Sequence, residues 1–403
     1  MNEKKKMQPK VRFREFTGEN ASDWEQRKLG EVSNHRGGTA IEKYFDDNGK
    51  YKVISIGSYG LDSRYVDQGI RAHSNEITDK RIVYAGELTM ILNDKTANGT
   101  IIGRTLLIEN DNEYVVNQRT EIISPNEGFN SRFAYTLLNG PFRHKIKQVV
   151  QGGTQIYVNY SSVEKLTLYL PIIEEQKKVG VFFEKLDKLI TLHQRKLEQL
   201  EQLKNTLLSK MFPKSGTNIP EIRFSGFTDA WKQRKLEEII VKEIKGKAKS
   251  ENISTNFANK GSLYLDTEYL NGGKPKYVSL PSDTDENDII ILWDGSQAGK
   301  LYKGVVGALG STLKAYKIPE HTLFYYYQML GSQEKIYNQY RTPNIPHVVK
   351  SFTSEFMIWD TSNDEETLII DIYSNLFNYI AIHQRKLDQL KNLKQTLLNK
   401  MFI

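Results

Sequence analysis

The chain has 403 residues, of which 38% are hydrophobic and 26% are charged. This length predicts two or more domains, and the composition is typical of a globular protein and not of a disordered one. No apolar run approaches the roughly 20 residues of a membrane span, and the lysine-rich residues 1–10 lack the pattern of a secretory signal. The lack of cysteine excludes disulfides, cysteine zinc sites and a cysteine nucleophile, and it fits a cytoplasmic protein. The net charge of +7 indicates nucleic-acid binding only weakly.

The first half of the chain opens with a leading segment and continues into a region that is rich in strand signals. The leading segment carries the dipeptide Arg12-Phe13 and then the sequence WEQRKLGEV at 24–32. The following region, 33–170, contains in order a strand signal at 86–92 (GELTMIL), a helical patch at Arg132–Gln148 and a threonine-containing turn at 152–163 (GGTQIYVNYSSV).

A long helix is predicted next, from Glu174 to Phe212. The segment has no proline, its single glycine is Gly180, and prolines stand just outside both ends. Its seam residues recur at alternating spacings of four and three, which is the period of a coiled coil.

The second half of the chain repeats this plan. Arg223-Phe224 precedes WKQRKLEEI at 231–239, and the final helix is predicted at 364–403. Residues 193–212 and 383–402 are identical at 15 of 20 positions. The region between, 240–363, resembles 33–170 only in outline, with a strand signal at 287–293 (NDIIILW), a helical patch at Thr322–Tyr340 and a threonine-containing turn at 340–352. A plan that occurs twice predicts a pseudo-two-fold body with its termini close together.

The two helices have matching seams, which predicts that they pair with each other. A 39-residue helix is about 58 Å long, whereas the nine-residue linker 213–221 reaches at most about 32 Å. Antiparallel pairing is therefore favoured, since it needs no return along the first helix. The predicted seam residues are Leu186, Ile190, His193, Leu197, Leu200, Leu207, Met211, Leu376, Ile380, His383, Leu387, Leu390, Leu397 and Met401.

The residue patterns of common catalytic and metal sites are missing from the sequence. His193 and His383 could form a metal site or a pH switch, but neither has a carboxylate at ligand spacing, which favours ordinary seam histidines. The sequence from Gly295 to Lys300 resembles a phosphate-binding loop. It has one residue too few between its glycines, and Leu301 stands where a magnesium-binding hydroxyl should be, so a turn between strands is predicted instead. The sequence thus favours recognition without catalysis and without a bound metal.

Reading DNA would require polar, basic or aromatic side chains that face phosphates and base edges, and such residues lie near the middle strand signal or in the threonine-containing turn of each region. Each could equally be a solvated loop residue. In the first region they are Asn93, Lys95, Arg104, Arg119, Gln151, Thr154, Gln155 and Tyr157. In the second they are Trp293, Asp294, Ser296, Lys300, Lys303, Arg341, Thr342, Asn344 and His347. The basic runs 143–147 and 242–249 could be phosphate patches or solvated faces.

Taken together, the order of parts resembles the specificity subunit of type I restriction-modification systems. The likeness is carried by PEIRFSGFTDAWKQRKLEEI at 220–239 and its N-terminal counterpart, GTQIYV at 153–158, LPIIEEQKKVGVFFEKLDKLI at 170–190 and the two HQRKL helices. It extends over nearly the whole chain. One departure is visible, because PIIEEQ at 171–176 corresponds to TSNDEE at 361–366.

This resemblance implies an α+β chain with two mixed α/β target-recognition domains, separated by two long antiparallel coiled-coil helices in a pseudo-two-fold repeat. The first domain is expected at 1–170 and the second, with its linker, at 214–363, while the conserved helices occupy 171–213 and 364–403. Each domain would read one half of a bipartite site in double-stranded DNA, and the helices would set the spacer.

The resemblance also implies partners. Two methyltransferase subunits would dock on the chain and methylate adenine, and motor-nuclease subunits would translocate and cleave DNA. S-adenosylmethionine, ATP and Mg²⁺ would bind to those partners, so that this chain carries no cofactor and is not an enzyme by itself. Two other functions stay open at this point, namely a scaffold that binds proteins or carbohydrate, and a self-sufficient restriction enzyme with a cryptic nuclease.

Overall fold

A computed structural model describes residues 7–18, 21–95, 98–250, 253–254 and 261–403. The chain forms two compact units. Unit 1 contains the residues up to His193 together with Lys386–Ile403, and unit 2 contains Gln194–Arg385. Both boundaries fall inside long helices, so each long helix begins in one unit and ends in the other.

Short strands make up the sheets of unit 1. In chain order they are β1 (Glu25–Lys28), β2 (Ser33–Gly37), β3 (Tyr51–Ile54), β4 (Arg71–Ala72), β5 (Ile82–Val83), β6 (Leu88–Ile91), β7 (Asn93–Asp94), β8 (Thr105–Leu107), β9 (Tyr114–Val116), β10 (Thr120–Pro125), β11 (Ile156–Tyr157) and β12 (Thr167–Leu170). One four-stranded sheet has the order β2-β10-β6-β8 and another the order β4-β3-β9-β5. In addition, β1 pairs with β12, and β7 pairs with β11.

The helices of unit 1 are short, apart from the long helix that continues into unit 2. They are α1 (Leu29–Val32), α2 (Glu76–Asp79), α3 (Ser131–Asn139), α4 (Pro141–Gln148), α5 (Tyr160–Val163) and α6 (Ile173–Lys210), with 3₁₀ turns at Arg14–Phe16, Glu42–Tyr44 and Ile56–Ser58. The helical patch predicted at Arg132–Gln148 is thus two helices. The break lies at Gly140 and Pro141, because proline is well tolerated in the first turn of a helix but disrupts the interior of one.

Unit 2 repeats the same architecture. Its strands are β13 (Lys232–Lys235), β14 (Lys242–Lys245), β15 (Ile253–Ser254), β16 (Ser262–Leu265), β17 (Tyr277–Val278), β18 (Asp288–Leu292), β19 (Leu301–Lys303), β20 (Ala308–Leu309), β21 (Leu313–Lys317) and β22 (Met357–Asp360). Its helices are α7 (Thr267–Leu270), α8 (Thr322–Gly331), α9 (Gln333–Gln339), α10 (Phe352–Glu355) and α11 (Asn363–Met401), with a 3₁₀ turn at Leu236–Glu238. The sheets have the orders β14-β21-β18-β19 and β15-β17-β16-β20, and β13 pairs with β22.

The middle strand of each unit is buried on both faces, which explains why its sequence is a continuous apolar run instead of an alternating one. In unit 1, Leu88 and Met90 of β6 belong to the core that contains α3, whereas Ile91 packs in a second core between the two sheets. In unit 2, the residues of β18 divide in the same alternating way between two cores. The turn after β18, which resembles a phosphate-binding loop in sequence, joins β18 to β19 as predicted.

The two long helices run antiparallel within each unit. In unit 1, Phe183 of α6 contacts Phe402, and Asp187 forms a 2.6 Å ion pair with Lys394, so residue numbers rise along one helix and fall along the other. In unit 2, Phe212 stacks on Tyr373, and Lys204 lies 5.7 Å from the ring centre of Phe377. The predicted antiparallel coiled coil is confirmed by these contacts. The prediction of neighbouring termini is also confirmed, since the Val11 N–H donates to the Lys400 carbonyl at 2.9 Å.

Most of the seam is buried, but its polar members are not. The leucines at 186, 197, 200, 207, 376, 387 and 390 are at most 9% exposed. His193 and His383 are half-buried. No helix in the described ranges is long and apolar enough to span a membrane.

A buried ion pair fastens the first turn of each long helix to the leading segment of the same unit. Arg12 donates two hydrogen bonds of 2.7 Å to Glu175, with side-chain exposures of 4% and 1%. Arg223 binds Glu365 in the same bidentate way at 2.7 and 2.8 Å. The repeated Arg-Phe dipeptide therefore has a structural task, which is to hold the carboxylate near the helix N-terminus.

The two helix starts differ at the next position. Gln176 is buried in unit 1, where its amide accepts from the Asn130 N–H at 2.9 Å and donates to the Gly128 and Pro171 carbonyls. Its counterpart in unit 2 is the buried Glu366. Burial raises the pKa of Glu366 to about 7, and the neighbouring carboxylates of Asp360, Glu365 and Glu320 act in the same direction. The departure noted in the sequence thus places an ionisable group where unit 1 has an amide.

We expect Glu175→Ala to destabilise the chain by about 3–5 kcal/mol, because it leaves the buried Arg12 guanidinium without its partner. Urea denaturation monitored by circular dichroism would measure this loss. The control is Glu174→Ala at the exposed neighbouring position, which should change stability by no more than about 0.5 kcal/mol. Equal midpoints for the two variants would contradict a stabilising ion pair.

Glu366 should make the stability of unit 2 depend on pH. Its pKa is about 7 in the folded chain, against an ordinary value of 4.5, so the stability it confers is fully present below pH 4.5 and is lost as the pH rises through about 7. We therefore expect Glu366→Gln to raise the melting temperature at pH 8 and to leave it nearly unchanged at pH 4.5. Thermal unfolding across this range, with Asp364→Asn at the exposed neighbouring position as control, would measure the effect. A pH profile of the variant that parallels the original would contradict the prediction.

Candidate nucleic-acid interface

The structure brings together the two segments of unit 1 in which DNA contacts were predicted. Strand β7 follows the middle strand and pairs with β11, so that Asn93 lies opposite Tyr157. The Val158 N–H donates to the Leu92 carbonyl at 2.9 Å. The intervening turn is closed by two backbone hydrogen bonds between Gln151 and Tyr157, of 2.8 and 2.9 Å. Within this turn, Thr154 and Gln155 are exposed.

Unit 2 brings the corresponding segments together in the same way. Asp294 forms a β-bridge with His347, and the Val348 N–H donates to the Trp293 carbonyl at 2.9 Å. The turn is closed by a 3.0 Å hydrogen bond from the Thr342 N–H to the His347 carbonyl. The Thr342 hydroxyl also donates to the Ile345 carbonyl at 2.6 Å, which ties the turn internally.

In both units a third segment, which contains Arg119 in unit 1 and Thr312 in unit 2, bonds to the residue after the middle strand. These bonds define which positions of the two units are equivalent. The N–H of Leu92 donates to the Arg119 carbonyl at 2.9 Å, and the N–H of Trp293 donates to the Thr312 carbonyl at 2.8 Å. These bonds show that the side chains at equivalent positions differ, although the backbone frame is shared. The equivalent pairs are Asn93 and Asp294, Arg119 and Thr312, Gln151 and Thr342, and Tyr157 and His347. The threonines of the two turns, Thr154 and Thr342, are therefore not equivalent.

Two glycines that the sequence analysis did not single out make this frame possible. The Gly38 N–H donates to the Thr120 carbonyl at 2.7 Å, and the Gly246 N–H donates to the Leu313 carbonyl at 3.0 Å. A Cβ on Gly38 would lie well inside van der Waals contact of the Asn117 carbonyl, and one on Gly246 would clash in the same way with Gly310. Only glycine allows the backbones to approach this closely.

A polar cleft of about 460 Å³ lies at the ends of these strands in unit 1. Four of the predicted residues line it, namely Asn93, Lys95, Arg119 and Gln155. The cleft also contains side chains that sequence reasoning missed, among them Gln68, Gln118 and Glu42. The Glu42 carboxylate accepts from the amides of Asn117 and Gln118 at 3.0 and 2.8 Å, and these bonds hold its pKa below the ordinary value. The cleft thus presents amide and cationic donors, with this carboxylate already engaged.

Several of the other predicted residues are engaged in local structure. Arg104 donates to the Ser63 hydroxyl at 2.9 Å and to the Thr100 carbonyl at 3.0 Å, and burial lowers its pKa. Lys300 donates to the Asn271 side chain at 2.6 Å. Arg341 reaches the Ser296 carbonyl at 3.2 Å. In contrast, Lys303 and Asn344 are exposed.

Trp293, the aromatic residue predicted to contact DNA in unit 2, has a cationic neighbour that the sequence did not reveal. The ammonium group of Lys314 lies 3.4 Å from the ring centre of the half-buried Trp293, a cation–π contact. Lys314 belongs to β21, next to the middle strand. The contact depends on the pairing of β18 with β21, which are not consecutive in the chain. The sequence alone does not predict the register of that pairing.

The basic run 143–147 is used largely for internal support. Arg143 donates to the carbonyls of Gly99, Thr100 and Ile102 at 2.7–3.1 Å, and burial lowers its pKa to about 10. Lys145 donates to the Thr167 carbonyl at 2.8 Å, and burial lowers its pKa as well. The run 242–249 differs, because its lysines are exposed while Ile244, Gly246 and Ala248 alternate with them as buried residues. It therefore presents a basic face along β14 and the residues that follow.

Comparison with known proteins finds similarity to one family over the first half of the chain. Residues 21–202 match the family described as the type I restriction modification DNA specificity domain. The MjaVIII specificity subunit of Methanocaldococcus jannaschii is 31% identical over 147 residues, which are 34% of this chain and 34% of that subunit. The HindI specificity subunit of Haemophilus influenzae is 26% identical over 202 residues, or 47% of this chain and 41% of that subunit. The matches therefore span well under half the length of these relatives.

The fold is shared with solved structures over nearly the whole chain. The S subunit of a type I restriction-modification system from M. genitalium superposes with a TM-score of 0.70 at 16% identity and covers 98% of this chain and 99% of its own. A chain solved in work on complex assembly and conformational transition of the type I R-M system has a TM-score of 0.51 at 17% identity, with coverages of 94% and 97%. These matches confirm the fold that the resemblance predicted, a mixed α/β chain with two long helices.

The frame glycine of unit 1 allows a direct test. We expect Gly38→Ala to lower the stability of unit 1 by about 1–3 kcal/mol, because the added methyl group forces the backbone apart. Gly153→Ala is the matched control, since a Cβ there meets nothing within 4 Å. Thermal unfolding of the full chain would measure both, and an unchanged melting temperature for Gly38→Ala would show that the close approach is not needed.

Proposed function

We propose, on the premise that residues 21–202 belong to the family of type I restriction-modification DNA specificity domains, that this chain is the DNA sequence-specificity subunit of such a system. Each unit reads one half of a bipartite site. The observation that carries the proposal is the shared backbone frame with different side chains at equivalent positions. A shared frame fits one docking geometry, and different side chains fit different base sequences.

In this proposal the long helices set the spacer between the two halves of the site. The support is that α6 and α11 are continuous over 38 and 39 residues and that each contributes to both units. A 38-residue helix is about 57 Å long, and one turn adds about 5.4 Å. Because a base pair advances the duplex by about 3.4 Å, one additional turn would shift the half-sites by one to two base pairs.

Two methyltransferase subunits dock on the helices in this proposal. The support comes from apolar side chains that are exposed at equivalent positions of the two helices. Leu189 and Leu192 of α6 are 47% and 63% exposed, and their counterparts on α11, Tyr379 and Ile382, are each 58% exposed. Spaced by three residues, each pair lies on one helix face. Two matching apolar patches fit two copies of one partner.

The chemistry is assigned to the partners. Methyltransferase subunits would bind S-adenosylmethionine and methylate adenine, and motor-nuclease subunits would use ATP and Mg²⁺ for translocation and cleavage. This chain would supply sequence recognition without catalysis and without a cofactor of its own. The support is that the polar side chains of its cleft are hydrogen-bond donors and acceptors suited to base edges and phosphates.

Domain exchange tests the proposal. Residues 33–170 would be replaced by those of a relative, the chimera would be expressed with its methyltransferase subunit, and the methylated sites of the host genome would be mapped. We expect one half of the methylated site to change, while the other half and the spacer length are retained, because unit 2 and both helices are unaltered.

The matched control replaces residues 240–363 and should change the other half alone. A change in both halves after either exchange would contradict modular reading. Loss of methylation by a chimera that still co-purifies with the methyltransferase would contradict the assignment of recognition to these regions.

A further inference from the structure

Arg119 differs from the other arginines of the region 33–170. The other seven, at 36, 64, 71, 81, 104, 132 and 143, each make a side-chain hydrogen bond or an ion pair. The exposed guanidinium of Arg119 has no such partner among the described residues, although it lines the cleft of unit 1. Its five N–H donors are therefore available to a ligand.

The backbone of Arg119 is also unusual. Its φ of +70° lies in the left-handed region, which residues other than glycine, asparagine and aspartate rarely adopt. The surrounding structure enforces this conformation. The Arg119 carbonyl accepts from the Leu92 N–H at 2.9 Å, Thr120 pairs with Ile91 in the sheet, and the Asn117 side chain accepts from the Gln118 N–H at 2.8 Å. Non-glycine residues held in this region occur preferentially at functional sites.

The neighbours of Arg119 favour a base edge as its ligand. Asn93, Gln118 and Gln155 line the same cleft, and their carboxamides can both donate and accept. The Glu42 carboxylate is engaged by Asn117 and Gln118. The planar fork of an arginine matches the two acceptors, O6 and N7, that guanine presents in the major groove, and no other base presents two acceptors in this way.

We infer that Arg119 is the guanine-reading residue of unit 1 and contacts O6 and N7 of one guanine in the half-site of that unit. The inference rests on the proposed function. The equivalent residue of unit 2 is Thr312, which has no fork, so this guanine contact has no counterpart at the same position of unit 2. Arg119 thereby determines specificity at a single base pair and does not merely attach the chain to the DNA backbone.

The test uses the full chain with its methyltransferase subunit and a pool of random duplexes, from which bound DNA is selected and sequenced. The original chain should select a bipartite site with an invariant guanine in one half. Replacing that guanine by 7-deazaguanine, which lacks N7, should weaken binding roughly 10- to 100-fold. Replacing it by inosine, which retains O6 and N7 and lacks the minor-groove amine, should have little effect.

Three variants and a control complete the experiment. Arg119→Ala and Arg119→Gly should both lose the preference at that base pair and keep the others, and Arg119→Gly removes the side chain without backbone strain, so it separates recognition from folding. Arg119→Lys keeps the charge and can still donate to O6 and N7 but lacks the planar fork, so it should weaken the guanine preference less than Arg119→Gly does. Thr312→Ala should leave the guanine preference unchanged.

The outcomes separate this inference from the function on which it rests. Equal weakening of all sequences by Arg119→Gly would identify a phosphate contact and overturn the inference alone. Retention of the invariant guanine by Arg119→Gly would overturn it as well. If the original chain selects no bipartite site, the proposed function fails, and the guanine assignment fails with it.

Discussion

The buried pairing of an arginine with a glutamate at the start of each long helix is the interaction on which the arrangement of this molecule depends. Arg12 and Arg223 come from leading segments, whereas Glu175 and Glu365 belong to the first turns of α6 and α11. Because both charges are buried, loss of either partner would leave an uncompensated charge out of water. The two hydrogen bonds between them therefore have to be retained. The pair therefore fixes the position of each sheet-bearing region relative to its long helix. The exposed side chains of that region are positioned by the same junction.

From this junction outward, the two units preserve backbone geometry and vary side chains. The orders β2-β10-β6-β8 and β14-β21-β18-β19 correspond strand by strand, and the hydrogen bonds around Leu92 recur around Trp293. Gly38 and Gly246 allow the close approach of backbone segments that both units share. Since main-chain bonds define these frames, the exposed side chains at their edge can change without loss of the fold. One backbone architecture can therefore carry two different sets of exposed side chains.

The sequence predicted the helices, the pairing direction and the middle strands, because heptad spacing and unbroken apolar runs are local signals. It also placed Asn93, Lys95, Arg119 and Gln155, which meet in one cleft. It missed Gln68 and Lys314, since their proximity depends on pairing between strands that are far apart in the chain. Arg104 and Arg143 donate to groups of the chain itself, and a basic side chain with such internal partners has the same sequence signature as one without them.

The core of unit 1 includes residues from near both ends of the described chain. Phe402 packs against Trp24, Phe133 and Phe183, and Met401 belongs to the same core. Unit 2, in contrast, is a continuous segment that ends at Arg385. During synthesis on the ribosome, unit 2 can therefore complete its core first, while the earlier-made unit 1 has to wait until Phe402 has emerged. Domains usually fold in N-terminal-first order during synthesis, whereas here the core of the first unit includes residues that are made after all of unit 2.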